Sequence, residues 1–132
     1  MRISRTTGYA LLAAAYIAKN KDQGIILSQN ISKKYDIPLE YLLKILQQLV
    51  RANILRSKRG PRGGFSLAKP PKKITLLQIV EAVEGPMISN LNLAEQTHGE
   101  KIGVKADRIY AKAIAQAKTV FQKTKLADLL GR

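Results

Sequence analysis

The sequence predicts a mainly α fold carrying one small β wing. Three observations predict it. Along most of the chain apolar residues recur at three- and four-residue spacing, the period of helices buried on one side. Two of these patterns are divided only by Asp36-Ile-Pro38, a break so short that the helices must cross steeply. A tip of six residues, Arg59-Gly-Pro-Arg-Gly-Gly64, then separates two runs that read as strands. Together they predict a winged helix-turn-helix domain, followed by a long C-terminal dimerisation helix.

The first helix is predicted over residues 4–19. Tyr9, Leu12, Ala13, Tyr16 and Ile17 form its apolar stripe, Ser4 or Thr6 its cap, and Lys19 and Lys21 favour its C-terminal end. A basic start before an Ala/Leu run also resembles a secretion signal, but a signal core needs no such strict spacing. Lys21-Asp-Gln-Gly24 reads as a turn, and Ile25–Leu27 as a short extended segment beside the wing. Ser28 is the expected N-cap of a second helix through Tyr35, with Ile31 pointing inward.

Pro38 suits the first position of the third helix, predicted over 38–52. Leu42, Ile45, Leu46 and Leu49 make its buried stripe. Its other side carries Glu40, Tyr41, Lys44, Gln47, Gln48 and Arg51, groups that can bond bases or phosphates. Asn53 is a suitable C-cap. Residues 54–58 and 65–68 are the two strands, with Phe65 and Leu67 on one face. The glycines between them leave a tip with little bulk, able to approach a nucleic-acid backbone closely.

Lys69-Pro-Pro-Lys-Lys73 is a stiff connector. Thr75 and Gln78 form a capping box for a helix whose apolar side is Leu76, Ile79, Val80 and Val83, ended by Gly85-Pro86. Residues 87–103 show no period and read as loop. From Val104 to Thr124 a long Ala-rich helix carries a band of Ala106, Ile109, Tyr110, Ala113, Ile114, Ala117, Val120 and Phe121. Such a band calls for a second copy of the same helix, hence a symmetric dimer. A short helix over Leu126–Leu130 is expected to lock that contact.

The chain has 132 residues and a net charge of +14, unevenly spread. Residues 1–73 hold 15 Lys/Arg and three acids, residues 74–98 hold three acids and no Lys/Arg, and residues 99–132 hold eight Lys/Arg and three acids. The basic surface favours a polyanion. The absence of cysteine removes disulfides, thiolate catalysis and cysteine-held metals, and the single His98 cannot build a zinc site alone. No nucleophile–base pair or paired carboxylates stand out, and Arg59–Gly64 lacks the Lys and Ser/Thr of a phosphate-binding loop, so no enzyme is expected.

Several blocks, in order, are similar to the Rrf-two family of bacterial transcription regulators, the family of IscR, NsrR and CymR. They are Met1-Arg-Ile-Ser4, Gly8-Tyr-Ala10, Ile37-Pro-Leu-Glu-Tyr-Leu42, Arg59-Gly-Pro-Arg-Gly-Gly-Phe65 and Ile74–Pro86, with Thr124–Leu129 resembling the closing segment. The resemblance implies a homodimeric winged helix-turn-helix on operator DNA, with Glu40, Tyr41 and Arg59 touching DNA. Cluster-binding relatives carry three cysteines between the Gly-Pro and the dimer helix. Here Met87–Val104 has none, which implies the cluster-free branch of the family and no cofactor.

The candidate DNA-binding residues are therefore Arg2, Arg5, Ser28, Pro38, Glu40, Tyr41, Lys44, Arg51, Lys58, Arg59 and Arg62. The candidate dimer residues are Ile109, Ala113, Ala117, Val120 and Phe121. Residues 1–86 are read as the DNA-binding domain, 87–103 as a connecting or effector loop, and 104–132 as the dimerisation segment. The expected protein is a cytoplasmic, sequence-specific regulator, a repressor, with double-stranded DNA and itself as partners and no membrane. A small-molecule effector is one form of control. The alternative is a DNA-binding subunit controlled by a protein partner such as a metabolic enzyme, motivated by the acidic 74–98 segment. Lys105, Lys112, Lys118 and Lys123 are placed on the outward side of the dimer helix, as a solvated face.

Overall fold

A computed structural model describes residues 3–60 and 63–131. The helix α1 (Arg5–Lys19) runs through the middle of the domain. Ala10, Ala13, Ala14 and Ala18 are buried beside Ile17, and their small side chains let neighbouring elements come close. This differs from the predicted stripe: Leu12 is exposed and Tyr9 and Tyr16 are half-buried. Around α1 pack α2 (Ser28–Tyr35), α3 (Leu39–Arg51), the hairpin of β1 (Leu55–Lys58) and β2 (Gly64–Leu67), and α4 (Leu76–Glu84). Ile26, Ile31, Ile37, Leu42, Ile45, Leu46, Leu49, Ile54, Leu55, Ile74 and Ile79 complete one continuous core.

Ser28 is not the N-cap of α2. It is the first helical residue, Leu27 holds the cap position, and no side chain caps this end. Ser4 occupies the cap position of α1 but makes no cap bond. Its hydroxyl instead donates to Glu84 Oε1, which also accepts from the buried Thr7 hydroxyl at 2.9 Å. Those two bonds tie the start of α1 to the end of α4 and stabilise a carboxylate that the helix dipole disfavours there.

The hairpin pairs Leu55 with Leu67 and Lys58 with Gly64, antiparallel. Ile26 adds a bridge on the far edge of β2: its amide donates to the Phe65 carbonyl and the Phe65 amide donates back, both at 2.8 Å. The expected extended segment beside the wing is therefore present. Gly64 permits it, because a Cβ there would lie 2.4 Å from the Ile26 carbonyl oxygen.

The Thr75–Gln78 capping box forms with bonds of 2.9 and 3.0 Å. The buried residues of α4 are Leu77, Ile79 and Val80, whereas Leu76 is half-buried. Residues 87–103 are not all loop. They contain α5 (Leu93–Gln96), and the last helix, α6 (Lys101–Lys123), begins three residues before Val104. The Asp107 carboxylate of α6 accepts from the Leu93 and Ala94 amides at 2.9 and 2.8 Å, so α6 caps α5. Gly103 is buried at this contact, where a Cβ would fall 2.3 Å from both the Leu93 carbonyl and Thr97 Oγ1.

The C-terminal turn Leu126–Leu129 docks on its own domain. Leu126 is fully buried in the core, its amide donates to the Ile74 carbonyl at 2.8 Å, and the Leu76 amide donates to the Thr124 carbonyl at 2.8 Å.

Candidate DNA-binding surface

The surface is built from the two helices either side of the short break. Asp36 takes the left-handed conformation (φ 55°) that ends α2, and the Ile37 amide returns to the Ser32 carbonyl at 3.1 Å. Ser32 Oγ donates to the Ile37 carbonyl at 2.6 Å, which fixes the turn from the inside. Pro38 then stands at the N-cap of α3 and not, as predicted, at its first helical position. Its φ of −54° is the one its ring imposes.

On α3 the buried stripe of Leu42, Ile45, Leu46 and Leu49 is as predicted. With 100° per residue, Glu40, Lys44, Gln47 and Arg51 fall within an arc of about 60° on the opposite side. All four are exposed. They form a polar ridge about 16 Å long, from the start of the helix to its end. Exposed Leu43 borders this ridge, an apolar contact of the kind that meets a thymine methyl. Periodicity alone marks Leu43 only as off the buried stripe, so the sequence reading does not single it out.

The end of α3 sets the wing. Asn53 is left-handed (φ 60°), its amide donates to the Val50 carbonyl at 2.9 Å, and the Ile54 amide donates to the Leu49 carbonyl at 3.0 Å. This paired return turns the chain directly from the ridge into β1. Arg56, Lys58 and Arg59 are exposed on the hairpin. Arg56 also escapes the sequence reading, because the alternation of a short edge strand gives no sign of which cations face a ligand. Arg2 and Arg62 lie outside the described residues.

Arg5 is exposed at the first position of α1, and Ser28 is half-buried in the first turn of α2. Tyr41 does two things. Its ring stacks edge-on against Tyr9 (centroids 5.8 Å apart) and its hydroxyl bonds Thr6 Oγ1, which fastens the start of α3 to α1. It nevertheless keeps 41% of its surface exposed. A shallow groove beside it is lined by Thr6, Tyr41, Lys44, Gln48 and Arg51.

Glu40, Tyr41, Lys44 and Arg51 thus group on the ridge and its flanking groove, with Lys58 and Arg59 on the wing immediately after it, while Arg5 and Ser28 stand at the starts of α1 and α2. On the ridge only Glu40 is acidic. Guanidinium, ammonium and carboxamide groups in a row can bond phosphates and base edges together.

The profile of the Rrf2 family, described as an iron-dependent transcriptional regulator, matches residues 3–132. The chain belongs to the Rrf2 family. Its relatives are transcription regulators, not enzymes. A protein of Aquifex aeolicus named as an HTH-type transcriptional regulator is 44% identical over 81 residues, 61% of this chain and 56% of that protein. The chain thus spans little more than half of that relative. The HTH-type transcriptional regulator IscR of Cereibacter sphaeroides is 28% identical over 135 residues, 98% of this chain and 87% of that protein. Among solved structures CymR, the global cysteine regulator of B. subtilis, superposes with a TM-score of 0.80 at 25% identity, covering 98% of this chain and 96% of that one. The winged-helix fold is thereby shown.

Iron is the group that the family description implies, and the donors of this Rrf2 protein do not fit a thiolate-held cluster. The sequence has no cysteine. Among the described residues no three His, Asp or Glu side chains gather into a metal site. Between α4 and α6, His98 is exposed with a left-handed backbone (φ 53°), and Asp107 is already occupied by two α5 amides.

Proposed function

We propose that this Rrf2 protein is a homodimeric, sequence-specific repressor that acts in the cytoplasm on a two-fold-related operator. The exposed ridge Glu40–Lys44–Gln47–Arg51, leading straight into a basic wing, is the observation that carries the reading. The ridge enters the major groove, where Glu40 accepts from a cytosine amino group and Lys44 and Gln47 meet base edges. Arg51 and Arg5 reach phosphates flanking the groove, with Pro38 setting the entry of α3 and Ser28 in the first turn of α2 beside the backbone. Lys58, Arg59 and Arg62 carry the wing along the adjacent minor groove. No described helix is long and apolar enough to cross a membrane.

The dimer rests on α6. Ile102, Ile109 and Val120 are 70%, 63% and 62% exposed, and with Ala113 they line one side of the helix. Ile102, Ala106, Ile109, Ala113, Gln116 and Val120 follow the alternating four- and three-residue spacing of a two-helix seam. Ala117 and Phe121 are half-buried nearer the side that faces their own chain, and so flank the seam. Residues 1–86 then read DNA, α6 (Lys101–Lys123) pairs the subunits, and the segment between them is the connection.

Fluorescence anisotropy with promoter and random duplexes, across a salt series, tests the reading. Affinity is expected to fall steeply with salt while a preferred sequence persists over competitor DNA. Equal affinity for every duplex would sink the claim of specificity.

A further inference from the structure

Three sides of α6 have different chemistry. One side faces the protein: Gly103 is buried there, Asp107 and Ile114 are half-buried, and Phe121 joins Val80 and Met87 in lining a groove. A second side is the apolar seam. The third carries Lys101, Lys105, Arg108, Lys112 and Lys123, all exposed and within an arc of about 60° roughly opposite the protein-facing side. Lys118 does not belong to this stripe, since it is half-buried on another side of the helix, where it lines a groove with Leu91 and Ile114.

The stripe contains no acid. Asp107 is the one acid within α6, and its carboxylate is held by the Leu93 and Ala94 amides on another side of the helix. A helix that carries charge only to stay solvated gains from Glu–Lys pairs at i,i+4. Here Lys101/Lys105 and Arg108/Lys112 are like-charge pairs at that spacing, which oppose the helix. Charge arranged against the stability of its own helix points to an anionic partner.

The composition of the stripe says which kind. Protein interfaces favour aromatic residues and arginine and are poor in lysine. This stripe is four lysines and one arginine, with Thr119 between and no aromatic residue. Compact point charges along a rod about 33 Å long match a row of phosphates over one duplex turn. Its direction matters too. The α4 helix packs against both α3 and α6, and the stripe lies roughly opposite the side of α6 that faces its own chain. Turned away from the chain body that carries α3, the stripe is placed to meet a duplex segment other than the one that α3 reads.

We infer that the outer face of α6 is a second, sequence-independent DNA surface, which holds the phosphate backbone of a separate duplex segment while α3 and the wing hold the first. The inference adds a surface to the reading above and does not depend on the operator sequence.

The test immobilises an arbitrary duplex on beads, loads the full protein, washes, and adds a second labelled duplex. The wild-type protein should capture the second duplex. With four phosphates neutralised, that capture should weaken about a hundredfold between 50 and 200 mM salt. The variant K101Q/K105Q/R108Q/K112Q, checked for helicity by circular dichroism, should stay on the first duplex and lose capture of the second. The charge-preserving K101R/K105R/K112R should keep it. Undiminished capture by the glutamine variant overturns the inference, as does equal loss in the arginine variant. If the glutamine variant fails to bind the first duplex at all, the stripe is the principal DNA surface and the α3 reading falls instead.

Discussion

The substitution Gly64→Ala tests how the wing is held. A Cβ at this position would lie 2.4 Å from the Ile26 carbonyl oxygen and 2.6 Å from Ile25 Cγ2, neither of which a folded backbone tolerates. The strand edge at Ile26 must withdraw from β2. It thereby gives up the two 2.8 Å bonds with Phe65, together about 1–3 kcal/mol. Ile26 and Phe65 are 2% and 6% exposed, and loosening their contact costs about another 1 kcal/mol, a part of the full burial of one large side chain. The sum, about 2–4 kcal/mol, lowers the melting temperature by about 6–15 °C for a chain of this length. Thermal denaturation followed by circular dichroism reads the shift, and hydrogen exchange at the Ile26 and Phe65 amides locates it. A melting point within about 2 °C of the wild type, with both amides still protected, would refute the reasoning.

Three further outcomes follow from the same geometry. Arg5→Ala with Arg51→Ala should reduce the slope of log affinity against log salt by about 1.8 per subunit, each side chain neutralising one phosphate, as an anisotropy titration would record. Leu126→Ala empties a fully buried site under the docked C-terminal turn and should cost about 2–5 kcal/mol in urea denaturation; a cost under about 1 kcal/mol would mean the turn is not part of the core. Ile109→Glu places a charge in the proposed seam and should shift the protein from dimer to monomer in sedimentation equilibrium without lowering its helicity, since Ile109 touches little of its own chain.

The parts of the structure legible in the sequence are those governed by neighbours. Asp36-Ile-Pro38 announces a break because proline restricts the residue before it and Asp tolerates a left-handed backbone. Thr75 and Gln78 announce a cap because each supplies what the other lacks. Leu42 through Leu49 declare a buried stripe, and the same count exposes the Glu40–Arg51 ridge. What remained illegible depends on partners far along the chain. The four residues of α5 are too few to show a period, and their amides are satisfied by Asp107, 13 and 14 residues later. Gly103 looks like a helix breaker, yet α6 includes it because α5 lies where a side chain would be. Leu126 reads as the start of a short helix that locks the dimer contact until its bond to Ile74 returns it to the core. Ser28 resembles a cap by residue type alone, and the chain starts the helix one residue earlier than that resemblance allows.

The central claim is that two copies of the ridge and wing read one two-fold-related site. Selection of bound sequences from a random duplex pool tests it most directly. The account predicts enrichment of an inverted repeat whose half-sites lie about 34–36 Å apart centre to centre, or a multiple of that distance, with the enrichment abolished by Lys44→Ala with Arg51→Ala. A pool that emerges without enrichment, or with one unrepeated motif, would contradict it.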